Sequence, residues 1–286
     1  MPTLALATAI CAAATDDDLH PLQAACEEAG LRADIVAWDD ASVSWSRFDA
    51  VLLRSPWDYT ERLAEFLRWC ERVSTRTRLL NPLDVVRWNT DKHYLGELAR
   101  QRVPVIESHY IEPGEKPDRF PEFDEFVVKP CVGAGSRGAR RFVHAERHAA
   151  IEHARDLLSQ DRSVLVQPYL RAVDEDGETA LVYFDGRFSH AIRKAPLLRR
   201  GEDATRALFA PERISARKPS DAERLAAKQV LAALPFAPLA YARVDLLPSE
   251  QGPQLLELEL TEPSLFFATA PGAAARFARA LAQRLA

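Results

Sequence analysis

Two segments near the end of the chain, Tyr241-Ala242-Arg243-Val244-Asp245-Leu246-Leu247 and Gln254-Leu255-Leu256-Glu257-Leu258-Glu259-Leu260, constrain its fold more than any other feature. Both alternate apolar and charged residues with a period of two, as strands with one face in a core do. In the first, Ala242, Val244 and Leu246 would pack inward, and Arg243 and Asp245 share the opposite face. In the second, Leu256, Leu258 and Leu260 would pack, and Glu257 and Glu259 share the other face. The Pro/Ser/Glu/Gln/Gly turn between them predicts a hairpin. Three carboxylates and an arginine in one patch need compensation, because a buried charge without a partner is strongly destabilising. A hard divalent cation such as Mg2+, with its oxygen ligands shared with phosphates, would supply it. Cross-strand Arg–Glu pairs on a solvent-facing sheet would supply it too.

The rest of the chain reads as three lobes: residues 1–90, 91–167 and 168–286. Segments 4–7, 33–38 and 48–54 read as strands separated by a helix over 18–29, which Gly30 would end, and a further helix over 61–73 follows. Strands spaced by helices imply a parallel, helix-covered sheet, with the 54–59 loop at its carboxyl edge, where ligands bind. Helix 61–73 would present Leu63, Phe66, Leu67 and Cys70 on one face. A small α+β lobe follows: helix 91–100, strands 126–129, 141–143 and 164–167, and a helix near 151–159. The last third is strand-rich, with a hairpin of 179–184 and 188–192 around Asp185-Gly186. A helix from Ser220 to about 234 has Glu223 as a capping box, and 273–285 closes the chain as a helix.

Two lysines stand out. Lys129 ends a strand and runs into Pro130-Cys131-Val132-Gly133-Ala134-Gly135-Ser136-Arg137-Gly138, a loop able to turn backbone N–H groups toward phosphates. It is neither a Walker-A loop nor a Rossmann fingerprint. Lys92, in Trp88-Asn89-Thr90-Asp91-Lys92, would sit at a helix start, where a cation is unfavourable unless an anion is near. A solvated lysine beside Asp91 is the competing reading.

Composition excludes several classes of function. The 286 residues carry a formal charge of −5 with both signs interspersed, and no basic arm or stripe points to nucleic acid. The arginine-rich stretches 137–141 and 193–200 are local and would suit either an anionic small molecule or solvated loop charge. Four scattered cysteines suggest neither a zinc site nor a disulfide framework, and Cys26 and Cys70 read as buried small hydrophobes. No apolar run has membrane-spanning length, and the apolar N-terminus lacks a basic start, so a cytoplasmic protein is expected.

Taken in order, the lysine after the first lobe, the second lysine with its glycine loop, the hinge strand, the R-x-D strand and the E-x-E strand resemble the ATP-grasp superfamily over nearly the whole chain. The resemblance implies an α/β architecture of α+β lobes: an N-terminal Rossmann-like parallel-sheet lobe for substrate, a central lid lobe and a C-terminal antiparallel-sheet catalytic lobe. It implies ATP and Mg2+, two ions, as cofactors. Lys92, Lys129 and the loop with Gly135 and Ser136 would hold phosphates. Gln167, Tyr169 and Leu170 would form the adenine-gripping hinge, and Glu178 would contact ribose. Asp245, Glu257 and Glu259 would bind metal, Arg243 would steady the reacting carboxyl, and Lys194 with Arg193 would complete the phosphate clamp. Many relatives carry Asn where this chain has Glu259.

More finely, Arg54-Ser55-Pro56-Trp57-Asp58-Tyr59, Asn81-Pro82, 86–92 and Glu259-Leu260-Thr261-Glu262-Pro263-Ser264-Leu265 resemble the cycloserine-forming cyclo-ligases, with a vaguer likeness over 197–218. There ATP phosphorylates a substrate carboxyl and an internal nitrogen closes the ring. The resemblance implies substrate contacts from Arg54, Ser55, Trp57, Asp58, Tyr59 and Ser264, and a small amino-acid-like carboxylate as partner. An intermolecular carboxylate–amine ligase and an inactive ATP-binding regulatory protein are the alternatives, and a homo-oligomer stays open.

Overall fold

The computed structural model describes residues 1–117, 120–198, 200–201 and 213–286. The first lobe is built from β1 (Thr3–Thr8), α1 (Leu19–Glu28), β2 (Arg32–Ala37), β3 (Ala50–Ser55), α2 (Leu63–Ser74) and β4 (Arg78–Leu80). Its four strands are parallel in the order β2-β1-β3-β4. β1 and β3 are buried almost throughout, as their near-continuous apolar runs require in a sheet covered on both faces. Gly30, with φ +82°, follows the end of α1. The buried face of α2 is Phe66, Trp69, Cys70 and Val73, with Leu63 and Leu67 partly covered.

The connection to the second lobe differs from the single helix expected over 91–100. It contains α3 (Leu83–Asn89) and α4 (Tyr94–Arg100), and Lys92 lies in the turn between them rather than on a helix. The Asp91 carboxylate accepts the His93 N–H at 3.1 Å and holds that turn. The second sheet contains β5 (His109–Ile111), β6 (Glu125–Pro130), β7 (Arg140–Val143) and β8 (Val164–Pro168), in the antiparallel order β5-β8-β6-β7. One face packs on α5 (Arg147–Ser159) through Ala150, Ala154 and Leu157.

After the short α6 (Val173–Asp176), β9 (Glu178–Phe184), β10 (Arg187–Lys194) and β11 (Ile214–Arg217) join β12 (Tyr241–Leu247) and β13 (Gln254–Glu259). This third sheet is antiparallel, ordered β11-β10-β9-β12-β13. Asp185 and Gly186 both take positive φ, as the tight hairpin requires. Between β11 and β12, α7 (Asp221–Ala232) starts at Ser220, whose hydroxyl accepts the Glu223 N–H at 3.2 Å while its own N–H donates to Glu223 Oε2 at 2.6 Å. The last helix, α8 (Ala273–Leu285), packs back on the first lobe, where Phe277, Ala278 and Leu281 share a core with Leu19, Leu22 and Leu4. Arg199 of the arginine-rich stretch, and much of the 197–218 segment, lies outside the described residues.

One packing assignment is corrected. β13 is bulged against β12: Asp245 faces Glu257, but Leu246 faces Leu255, so Leu256 is the extra residue. Alternation therefore breaks there, and Leu255, not Leu256, enters the core with Leu258 and Leu260. Leu256 turns toward the cleft beside Glu257.

Candidate active site

The cleft between the second and third sheets gathers side chains from all three lobes: Trp57 from the first, Lys129, Gln167 and the glycine loop from the second, and Glu178, Lys194, Arg243, Glu257 and Glu259 from the third. Lys92, Gly135, Ser136, Tyr169, Leu170 and Ser264 also reach its wall. It has two chemically distinct parts. Ile106, Val127, Leu170, Val173, Leu247 and Leu256 make an apolar part suited to a flat base. The charged groups make the other.

Charge in that second part is organised around the β12–β13 pair. The register sets Arg243 opposite Glu259 and Asp245 opposite Glu257. Arg243 donates through Nε to Asp245 Oδ1 at 2.9 Å, through Nη2 to Glu259 and through Nη1 to the Ser264 carbonyl at 3.1 Å. Cross-strand pairing thus occurs, yet on a buried cleft wall rather than on a solvated sheet face. Lys194 Nζ lies 2.7 Å from Asp245 Oδ2 and 2.6 Å from Glu178 Oε1. Gly177, at φ +72°, makes this approach feasible, because a Cβ there would stand 2.6 Å from the Lys194 carbonyl oxygen. Asp245 is buried behind Lys194 and Arg243. Lys92 Nζ sits 2.8 Å from Glu257 Oε1 and donates to the Gly133 carbonyl at 2.7 Å, tying β13 to the glycine loop. Lys92 therefore has its anion, and the solvated-lysine reading fails.

The ionisation of these groups follows from burial and neighbours. Burial alone would raise the Asp245 and Glu257 carboxyls, but Arg243 with Lys194, and Lys92 with Lys129, outweigh it and keep both below their ordinary values. Glu259 and Glu178 are surplus: burial pushes them up to about 8 and about 7. The Lys129 ammonium has no hydrogen bond or ion pair among the described residues, and burial pushes it down to about 8. Raised carboxyls at one point of the cleft and a lowered ammonium at another are the pattern that a bound cation and a bound anion would each relieve.

Several expected site residues lie elsewhere. Arg193 points away from the cleft and donates to the Asp176 and Glu175 carbonyls at 2.6 Å each. Arg54, Ser55, Asp58 and Tyr59 are buried beside the cleft without lining it. Arg54 Nη2 donates to the Pro263 carbonyl at 2.7 Å, Trp57 Nε1 to the Glu262 carbonyl at 3.1 Å and Tyr59 OH to Glu262 Oε1 at 2.7 Å. Ser55 bonds Thr8, and Asp58 receives Trp38 Nε1 at 2.9 Å and pairs with Arg62 at 3.0 Å. The 54–59 loop thus positions the 262–264 segment. Glu262 and Phe266 are on the wall and were given no role by sequence; the acid three residues past Glu259 was the available signal. Asp91, His93 and Cys131 also bring possible ligand atoms within 4.8 Å of one another. Both His93 ring nitrogens are already engaged, by Asp91 and by Glu112, leaving no lone pair for a metal.

Residues 4–81 match the family model described as D-cycloserine synthetase DcsG, N-terminal domain. The cycloserine biosynthesis protein DcsG of Streptomyces lavendulae is 42% identical over 299 residues, covering 100% of this chain and 99% of that protein. A crystal structure of D-cycloserine synthetase DcsG superposes with a TM-score of 0.92 at 41% identity, covering 99% of this chain and 100% of that one. The ATP-grasp ligase PsnB, complexed with a precursor variant, Mg and ADP, shares the fold at a TM-score of 0.65 and 17% identity, covering 100% of this chain and 99% of that one. Related along its whole length to DcsG, the chain belongs to that family of ATP-grasp enzymes and is an ATP-dependent carbon–nitrogen ligase.

Proposed function

We propose that this enzyme forms cycloserine, closing the isoxazolidinone ring of an O-ureidoserine by ATP-dependent activation of its carboxyl. The full-length relation to DcsG carries this reading. ATP would lie with its base in the apolar part of the cleft and its phosphates toward Lys92, Lys129 and the glycine loop. The γ-phosphoryl passes to a substrate carboxylate oriented by Arg243, and ADP leaves. The oxygen-linked ureido nitrogen attacks the acyl-phosphate carbonyl with loss of phosphate and of its own proton. Water removes the carbamoyl group as carbon dioxide and ammonia to leave cycloserine. Positioning and charge neutralisation account for most of the catalysis. Arg243, fixed by Asp245, Glu259 and the Ser264 carbonyl, would meet the negative charge that develops on the carboxyl oxygen. The all-oxygen donor set and the surplus charge of Glu259 fit Mg2+, two ions in this reading, held by Asp245, Glu257 and Glu259. Bound there, the metal would neutralise the ATP phosphates. Residues 1–90 would supply the substrate side, 91–167 the lid and 168–286 the catalytic side.

The test is to incubate the enzyme with MgATP and O-ureidoserine, and separately with amino acids plus added amines. Phosphate release with cycloserine from O-ureidoserine alone is expected. Release only when an amine is added would overturn ring closure in favour of intermolecular ligation.

A further inference from the structure

Two cleft carboxylates, Glu178 and Glu262, have no task in the mechanism above, and Glu178 is already paired with Lys194. Glu262 lies on the wall with Trp57, Ser264 and Phe266, and the charges it feels most are those of Lys92, Glu257 and Arg243, which places it in the charged part of the cleft. Three contacts fix it. Tyr59 donates to its Oε1, Trp57 donates to its backbone carbonyl, and Arg54 donates to the carbonyl of the next residue. Few side chains in the cleft are so firmly held from another lobe.

Its partners are nevertheless incomplete. Glu257 has Lys92, Glu178 and Asp245 have Lys194, and Glu259 has Arg243. Among the described residues no lysine, arginine or histidine lies within 4.0 Å of Glu262, and its Oε2 has no hydrogen bond there. Burial raises its carboxyl to about 7, against the Tyr59 hydrogen bond and the more distant charges of Lys92 and Arg243. A buried carboxylate in a rigid cradle, with one oxygen unused, is arranged for a cation the protein does not itself provide. Trp57 and Phe266 beside it add aromatic surface that tolerates an ammonium group.

We propose that Glu262 is the counter-ion for the ammonium group of an amino-acid substrate, its Oε2 taking the substrate amine while Arg243 takes the carboxyl that is activated. The inference rests on the ring-closing reading and adds to it how the enzyme recognises its substrate as an amino acid. It also gives the 54–59 loop a purpose: Arg54 and Tyr59 act as positioning residues that hold the Glu262 segment without touching substrate, and Trp57 holds the Glu262 carbonyl while its side chain lines the cleft.

The experiment compares wild-type and Glu262→Gln enzyme on O-ureidoserine and on its des-amino counterpart, following phosphate release at saturating ATP and titrating Mg2+ separately. Wild-type enzyme is expected to prefer the amino compound in kcat/KM. E262Q should lose roughly 10–100-fold on that compound, the range for one charge-assisted hydrogen bond, chiefly through KM. Its activity on the des-amino compound, its KM for ATP and its Mg2+ requirement should stay nearly constant. Equal losses on both compounds, or a shifted Mg2+ requirement, would overturn the proposal. If E262Q does not fold, Tyr59→Phe, which keeps the carboxylate but frees it, should reduce the same preference several-fold, and an unchanged preference overturns the proposal. Wild-type enzyme that releases phosphate with neither compound overturns the ring-closing reading and this inference with it. Turnover of O-ureidoserine with selectivity unaltered in E262Q overturns this inference alone.

Discussion

The Asp18 carboxylate, just before α1, accepts the backbone N–H of Phe266 through Oδ2 at 2.9 Å, across 248 residues of sequence. It also accepts Leu265 N–H at 2.6 Å and Phe267 N–H at 2.8 Å. Phe266 is in the left-handed region at φ 54°, and the Arg243 guanidinium stands 5.4 Å from its ring centre. One acid in the first lobe therefore holds the turn that borders the charged part of the cleft. Asp18→Ala would leave three largely buried N–H groups without an acceptor and should cost about 2–4 kcal/mol of stability. Urea unfolding measures that cost, and kcat should fall as well because Ser264 and Phe266 lose their anchor. Asp18→Asn, which keeps one acceptor oxygen, should fall between the two.

Glu257 separates catalysis from folding. Its Lys92 partner is 2.8 Å away, and it lines the cleft next to the bulge that turns Leu256 outward. Glu257→Gln keeps the shape but removes the charge that the proposed mechanism sets beside phosphates and metal. A fall in kcat of about 100-fold or more is expected, the scale for losing one such electrostatic contact. Stability should drop by only about 1–2 kcal/mol, since Lys92 keeps a hydrogen-bond acceptor at Gly133. Steady-state kinetics and a thermal melt on the same preparation check both halves, and unchanged turnover would remove Glu257 from the metal set.

The features legible in the sequence are those whose evidence is local. The alternation in β12 and β13, the Asp185-Gly186 turn and the Ser220–Glu223 cap each depend on neighbours a few residues apart. Leu256 was misplaced because a bulge is a property of two strands, and its register is invisible in either alone. β4, β5 and β11 are three or four residues long, too short to show a period. The apolar wall of Ile106, Val173, Leu247 and Leu256 comes from four separate segments with no motif. The 54–59 loop stood out by its polar and aromatic content, but not what it holds, because its partners lie more than 200 residues away. Charge could be counted from sequence; which carboxylate lacks a cation could not.

In the proposed binding mode Lys129 faces the nucleotide phosphates, and nucleotide binding should then be sensitive to pH. Burial lowers the Lys129 ammonium to about 8, so raising pH from 7 to 9 discharges it in the free enzyme. ATP favours the charged form, so KM for ATP should rise over that interval. Lys129→Met should raise KM at pH 7 by about tenfold or more and flatten the profile. A profile in the variant as steep as in wild type would assign the pH dependence to another group.

Acid stability should depend on Glu125 at the start of β6. Arg200 and Arg141 hydrogen-bond its carboxylate at 2.6–2.8 Å, and Arg171 lies 3.2 Å away. Arg200 foremost, then Arg141 against the opposing effect of burial, holds the group down to about 2 from an ordinary 4.5. A depressed carboxyl stabilises the fold fully above its unfolded value and ceases to do so as pH falls through its folded value, so the window runs from about pH 5 to pH 2. The full shift corresponds to about 3 kcal/mol, and roughly 2 is expected because Arg200 and Arg171 are exposed to solvent. Urea unfolding at pH 7, 4 and 3 should therefore show wild type losing stability faster than Glu125→Gln, which starts lower. Parallel decline of the two proteins would place the acid sensitivity in other carboxylates.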